Sequence, residues 1–131
     1  MGRDRDNAGY SGTPLPKKLG IKDGSRVLVE DAPDGFLPEV PRVDAGPADV
    51  IVAFHTERAG VEEAIPRLRA QMEPNAGFWV AWPKRASKVP TDVTEDVVRE
   101  IALRHRLVDN KVCAIDDVWS GLRLVIRLTD R

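Results

Sequence analysis

The stretch Asp49-Val50-Ile51-Val52-Ala53-Phe54 is apolar throughout after its first residue, with no alternation of polar and apolar side chains. Such a run is typical of a strand buried on both faces, as strands of parallel sheets are. Apolar side chains then recur at helical spacing, which predicts a helix packed on the sheet. Its stripe consists of Val61, Ala64, Ile65, Leu68 and Met72. Strand and helix together predict one unit of an α/β sheet.

The same strand–helix unit is predicted a second time further along the chain. Residues 77–82 form an apolar strand. A second helix begins near Asp92, which can cap it because Glu95 follows three residues later. Residues 26–30 predict an earlier strand, and a loop rich in proline separates it from the first unit.

The chain is predicted to end in a β-hairpin. Residues 111–116 and 122–128 have strand-like patterns, and only a short link lies between them. Right-handed crossovers between the earlier strands give a mostly parallel sheet, to which a hairpin adds an antiparallel strand. We therefore expect a single α/β domain over residues 10–131, preceded by a flexible polar tail over residues 1–9.

Composition excludes several classes of function. The chain has 131 residues, 42% of them hydrophobic and 31% charged, which suits one domain with a core. The net charge of −1 argues against nucleic-acid binding, because no overall positive field attracts phosphates. The single Cys113 cannot form an internal disulfide, and no apolar run is long enough to span a bilayer. We expect a cytoplasmic protein.

Residues 64–80 resemble the helix, turn and strand that methyltransferases carry after their fourth strand, with Pro74-Asn75-Ala76-Gly77 at the turn. The resemblance implies a small three-layer, Rossmann-like sheet of the methyltransferase type, mostly parallel and closed by a C-terminal antiparallel β-hairpin. In that family the cofactor sits on a glycine loop after the first strand. Here Ala32-Pro33-Asp34-Gly35-Phe36 follows the first strand in place of G-x-G, so we expect no cofactor.

A second resemblance covers nearly the whole chain from Gly9 onward. It is carried by Gly9-Tyr10-Ser11-Gly12-Thr13-Pro14-Leu15, by Trp82-Pro83-Lys84, by residues 90–100 and by residues 111–116 with Trp119-Ser120-Gly121-Leu122. These strings resemble an uncharacterised actinobacterial family, domain of unknown function 3052. That resemblance implies a small α/β protein without an assigned activity, so it supplies no catalytic residue.

Candidate ligand-binding residues follow from the predicted sheet, because open α/β sheets bind ligands beyond the carboxyl ends of their parallel strands. Three loops are expected to converge there. They contribute Asp34, Gly35, His55, Trp82, Lys84, Arg85 and Lys88. The functional interpretation is an anion pocket with a stacking indole, and the alternative is a solvated basic loop above a core tryptophan.

Other functional roles for individual residues have weaker support in the sequence. His55 could act as a general base, but a histidine at a strand end more often serves packing or capping. Only two histidines and one cysteine are present, and we predict no bound metal. Tyr10 and Trp119 are candidate interaction residues, since aromatic side chains in loops often anchor partners. An open edge at the first strand favours a homodimer or another protein partner.

Three functions compete on these grounds. The missing glycine loop and the lack of a convincing catalytic set favour a non-catalytic interaction or regulatory module that is not an enzyme. The alternative is an enzyme that binds a small molecule such as a nucleotide or S-adenosylmethionine. Nucleic-acid binding through the basic residues is the third.

Overall fold

The computed structural model describes residues 12–131, so the predicted tail and Tyr10 lie outside the described residues. The strands are β1 (Val27–Glu30), β2 (Ala48–Phe54), β3 (Met72–Pro83), β4 (Leu107–Ala114) and β5 (Trp119–Ile126). They form one mixed sheet of five strands in the order β1-β2-β3-β5-β4. β1, β2 and β3 are parallel, whereas β5 is antiparallel to both β3 and β4. The α/β class, the parallel part and an antiparallel terminal strand were all expected from the sequence.

The helices are α1 (Leu15–Lys18), α2 (Arg58–Arg69) and α3 (Glu95–Arg104), with 3-10 turns at Arg85–Ser87 and Leu128–Asp130. Pro66 lies inside α2, whose body continues through it. None of the helices over residues 12–131 combines the length and the apolar character that a membrane crossing needs.

Both long helices lie on one face of the sheet. The chain moves from β2 to β3 and then past β5 to β4, always in the same direction across the sheet. Right-handed crossovers that proceed in one direction leave their helices on the same face. Accordingly Ile65 of α2 and Ile101 of α3 share one buried cluster with Ile51 and Phe78.

The opposite face differs from the expected third layer of helices. It is covered by the segment around α1 and by the loop after β1, which place Leu19 and Phe36 on the sheet. The indole Nε1 of Trp79 donates a hydrogen bond to the carbonyl of Leu19 at 3.1 Å. The rings of Phe36 and Phe54 pack edge to face, with centroids 4.9 Å apart. Side chains of a short helix and a loop therefore close this core.

Several boundaries differ from the sequence-based expectation. β3 begins at Met72 instead of residue 77, and β4 and β5 begin at Leu107 and Trp119, earlier than expected. The register of β4 shifts between Asp109 and Lys111, which hides the strand pattern in the sequence. The edge of β1 is partly covered, because the Val43 amide donates to the Val27 carbonyl at 2.9 Å. A homodimer stays a prediction.

The cap of α3 is Thr94, so the prediction of Asp92 as its cap is wrong. The Thr94 hydroxyl accepts a hydrogen bond from the Val97 amide at 3.2 Å. The Asp92 carboxylate instead accepts one from the Arg58 amide at 2.6 Å. Arg58 is the first residue of α2, where amides have no partner within the helix. Asp92 thus caps the neighbouring helix from outside it.

Replacing Asp92 with alanine should leave the first amide of α2 without its acceptor. Loss of a helix cap costs about 1 kcal/mol, so we expect urea unfolding of Asp92→Ala to report a loss of that size. Hydrogen exchange at the Arg58 amide should accelerate, while exchange in the first turn of α3 should not. Asp96→Ala is the control, because Asp96 is exposed and pairs only with Arg99 of its own helix among residues 12–131. Faster exchange confined to α3 would contradict the assignment.

Candidate functional site

Glu30 and His55 meet at the carboxyl edge of the parallel strands. Glu30 is the last residue of β1, and His55 directly follows β2. Because β1 and β2 are parallel neighbours, their ends lie side by side. The imidazole Nε2 of His55 lies 2.9 Å from Oε2 of Glu30, and the two side chains are only 13% and 18% exposed. The contact is a hydrogen bond whose donor depends on the histidine tautomer.

A third group holds the Glu30 carboxylate from α2. Nη2 of Arg67 lies 2.8 Å from Oε1 of Glu30 and donates to Oε2 at 3.1 Å. The pKa of Arg67 is raised above its ordinary value, first by the hydrogen bond with Glu63 and next by the one with Glu30. Arg67 therefore stays charged. The carboxylate of Glu30 has a defined orientation, because it is held on one side by an imidazole and on the other by a guanidinium.

The position of the His55 ring depends on a glycine. A Cβ atom at Gly60 would lie 2.7 Å from Nδ1 of His55, so the ring occupies the space above the first turn of α2. The His55 amide also donates to the carbonyl of Ala81 at 3.0 Å, which ties the residue to the neighbouring strand β3. Backbone and ring are thus both fixed before any ligand arrives.

A cavity of about 480 Å³ opens beside Glu30, and we call it the acidic cavity. Its polar lining consists of Glu30, Asp31, Asp44, Arg67 and Gln71, and its apolar lining of Leu28, Val29, Ala45 and Leu68. Asp31 has a φ of +56°, a left-handed conformation that is uncommon for residues other than glycine. Three carboxylates and one guanidinium favour a ligand that donates hydrogen bonds or carries positive charge.

Glu30, Asp31 and His55 have the side chains of a possible metal site, since their ligand atoms lie within 4.8 Å of one another. One imidazole and two carboxylates suit Mn²⁺, Fe²⁺ or Zn²⁺. Arg67, however, already contacts both oxygens of Glu30. A dication would have to displace that guanidinium, so the set fits a metal poorly, and the prediction of no metal stays a prediction.

The three loops expected to converge do not share one cavity: two of them line separate cavities, and the third carries His55. Asp34 and Gly35 line one of about 330 Å³ together with Leu15, Phe36 and Ile115. Trp82, Arg85 and Lys88 line another of about 490 Å³. Lys84 is not among its lining residues, and its backbone amide donates to the carbonyl of Val118 at 2.7 Å. His55 lies apart from both, against Glu30.

The two aromatic candidates serve packing more than the sequence suggests. Trp82 is only 8% exposed and belongs to the core under the helices, so its ring faces are not free for stacking. Trp119 lies edge-on to Phe54, with ring centroids 5.1 Å apart, and is half-buried against the opposite core. Tyr10 lies outside the described residues.

Sequence reasoning missed Arg67 and undervalued Glu30. An acid at the end of one apolar strand and a histidine at the end of the next are visible in the sequence, and the parallel order places them together. Nothing in the sequence indicates the contact between Arg67 and Glu30, because it depends on how α2 is rotated on the sheet.

The fold was compared with solved structures after these contacts were established. LepI, described in complex with SAM, matches with a TM-score of 0.51 and 11% identity over 86% of this chain. A protein described as a pericyclic reaction enzyme matches with a TM-score of 0.52 and 12% identity over 86% of this chain. This chain spans 39% of the length of either. No protein-family model and no curated protein matches the chain.

The comparison corrects the expected function. A non-catalytic interaction or regulatory module was expected, and a protein that is not an enzyme. This expectation is wrong in the light of the structural neighbours, which include a protein described as an enzyme and one described with bound SAM. These neighbours agree better with the alternative expectation than with the main one. At such low identity the likeness shows the fold alone.

Cys113 lies in a cleft with Lys17, Lys18 and Lys111, and its thiol is predicted to react slowly. Burial raises the pKa of Cys113 above its ordinary value, although Lys18 and Lys111 act in the opposite direction. Less thiolate is then present at pH 8 than in an unfolded chain. Alkylation by iodoacetamide, followed by mass spectrometry, should be slower in the folded protein than in urea. An equal or faster rate in the folded protein would contradict the prediction, because it would show that the lysines offset or outweigh burial.

Proposed function

We propose that this domain is an enzyme that binds a small, nucleoside-like molecule with a positive charge, such as S-adenosylmethionine, in the acidic cavity. One observation carries the proposal: the Glu30 carboxylate lines that cavity and is held by His55 and Arg67. Glu30 lies at the carboxyl end of β1, the end at which open α/β sheets bind ligands, and the cavity continues from there along β1 and the C-terminal part of α2 to Gln71.

Glu30 is the residue that we assign to ligand contact. Among residues 12–131, Oε2 of Glu30 contacts both His55 and Arg67, whereas Oε1 contacts Arg67 alone and keeps one acceptor site for a hydroxyl or an ammonium group. Because the carboxylate is already held in place, it loses no further rotational freedom on binding. His55 and Arg67 are positioning residues for it. Asp31 and Asp44 add negative charge to the same cavity.

The charges around the cavity favour S-adenosylmethionine over a nucleotide. A dinucleotide needs a glycine loop whose amides hold its phosphates, and Ala32-Pro33-Asp34-Gly35 stands in that place. Phosphates would also meet the carboxylates of Glu30, Asp31 and Asp44. S-adenosylmethionine has no phosphate, and its sulfonium and ammonium groups are attracted by carboxylates. The LepI complex with SAM lends support from the same fold.

The finer description of the fold belongs to the same proposal. We infer that the sheet is the closing half of a Rossmann-like framework of the methyltransferase type, in which β5 is inserted antiparallel between β3 and β4. The sequence strings that resemble domain of unknown function 3052 support membership of that family.

Calorimetry and thermal unfolding with three ligands test the proposal. A ligand present at a hundred times its Kd should stabilise the protein by about 2.7 kcal/mol. S-adenosylmethionine should bind more tightly than S-adenosylhomocysteine, which lacks the sulfonium charge, and ATP should not bind. Equal affinity for the two adenosyl compounds would contradict a role for the carboxylates. Absence of any stabilisation would contradict the proposed ligand class.

The Glu30→Gln variant tests the assigned residue. It keeps the shape of the side chain but removes its charge, and we expect affinity for S-adenosylmethionine to fall about tenfold or more, which is the scale of a lost charge-assisted hydrogen bond. Glu73→Gln is the matched control, because Glu73 also pairs with an arginine, Arg26, but lies outside the cavity. Similar losses in both variants would indicate a general electrostatic effect and contradict a Glu30 contact.

A further inference from the structure

We propose that the cavity between the end of β3 and the start of α3 is a second binding site, which takes a small organic anion with an apolar body and one carboxylate or phosphate. This cavity of about 490 Å³, called here the basic cavity, has a lining distinct from that of the acidic cavity. The inference goes beyond the proposed function, because it assigns a different ligand to different residues.

The walls of the basic cavity combine apolar and polar residues. The apolar ones are Trp82, Pro83, Val89, Pro90 and Val93, and the polar ones are Arg85, Lys88, Thr91 and Thr94. Trp82 and Val93 belong to the core under the helices, so they give the cavity a rigid floor. Small-molecule sites commonly have volumes of roughly 300–1,000 Å³ and mainly apolar walls with a few polar groups. The basic cavity meets the condition on volume, and its walls are apolar and polar in similar measure.

Two cations lie at the rim of this cavity. Arg85 and Lys88 line it, and among residues 12–131 no aspartate or glutamate does. Within residues 12–131 neither Arg85 nor Lys88 forms an ion pair or a side-chain hydrogen bond with an acidic side chain. A guanidinium and an ammonium beside apolar walls suit a molecule whose anionic group faces solvent and whose body is buried.

The backbone at Lys88 is strained in the position where its side chain lines the cavity. Lys88 has a φ of +63° and ends the short 3-10 turn, with its amide bonded to the carbonyl of Arg85 at 3.1 Å. Glycine takes this conformation without a steric penalty, whereas a lysine does not. A lysine at this position therefore lowers the stability of the fold. Strained residues of this kind are often found at functional sites, and a contact between the Lys88 amine and a ligand would explain why a lysine is present.

Thr94, an exposed residue, supplies a polar group to the lining of the cavity. Its hydroxyl oxygen accepts the Val97 amide, which leaves the hydroxyl hydrogen able to donate to an anion. The positive end of the α3 dipole lies at the same point, since Thr94 is the cap of this ten-residue helix. Glu95 and Asp96, in the first turn, both pair with Arg99, which offsets part of their negative charge.

The test is a nuclear magnetic resonance titration of the whole chain with phenyl phosphate, benzoate and neutral benzyl alcohol. Phenyl phosphate, benzoate or both should shift the amides of Val89 and Thr94 and the indole of Trp82, at millimolar or lower concentration. Benzyl alcohol should bind at least tenfold more weakly. The stronger of the two anions identifies phosphate or carboxylate as the group recognised. Equal binding of benzyl alcohol, or shifts elsewhere only, would overturn the inference.

Two variants separate binding from stability. Lys88→Gly should raise the melting temperature, because it relieves the strain of the left-handed backbone. It should also lower the affinity for the anion at least fivefold. Arg85→Ala should weaken it similarly, and Lys22→Ala, which removes an exposed lysine elsewhere, should not. Unchanged anion affinity in Lys88→Gly and Arg85→Ala would overturn the inference. Binding of S-adenosylmethionine should be the same in all three variants, so this site and the acidic cavity can fail independently.

Discussion

The right-handedness of the two helical crossovers, from β2 through α2 to β3 and from β3 through α3 to β4, combined with their single direction across the sheet, is the constraint on which the rest of this structure depends. It places α2 and α3 on one face and leaves the other face to the segment around α1 and the loop after β1. Leu19 and Phe36 then cover β2 and β3, and the Trp79 indole is satisfied by the Leu19 carbonyl. The short helix is held by the sheet, since four residues cannot form a stable helix alone.

The same constraint creates the candidate site. Three parallel strands that run in sequence order end at one edge, so the residues that follow them are neighbours. At β1 and β2 this brings together Glu30 and His55, and α2 adds Arg67 on its way back along the sheet. At β3 the chain turns through the 3-10 segment towards α3, and a separate basic cavity results. The edge carries two clefts of opposite charge.

The sequence predicts the elements better than it predicts the contacts between them. The unbroken apolar run predicts β2, and the helical spacing of apolar residues predicts α2. The short link between β4 and β5 predicts the hairpin. Asp92 was misassigned because a cap can serve a helix close in space and distant in sequence. The residues of the expected single pocket are divided between two cavities, with His55 apart from both, because Trp82 turns inward and Asp34 lies towards the opposite core. These outcomes depend on side-chain direction, which periodicity does not encode.

The central claim is that Glu30, held between an imidazole and a guanidinium, receives the ligand. The most direct measurement is a crystal structure of the protein grown with S-adenosylmethionine. Density for the adenosyl group within hydrogen-bond distance of the Glu30 carboxylate, with the contacts to His55 and Arg67 intact, is the result we predict. Density against Asp34 and Gly35, or in the cavity beside Trp82, with the acidic cavity empty, would contradict the claim.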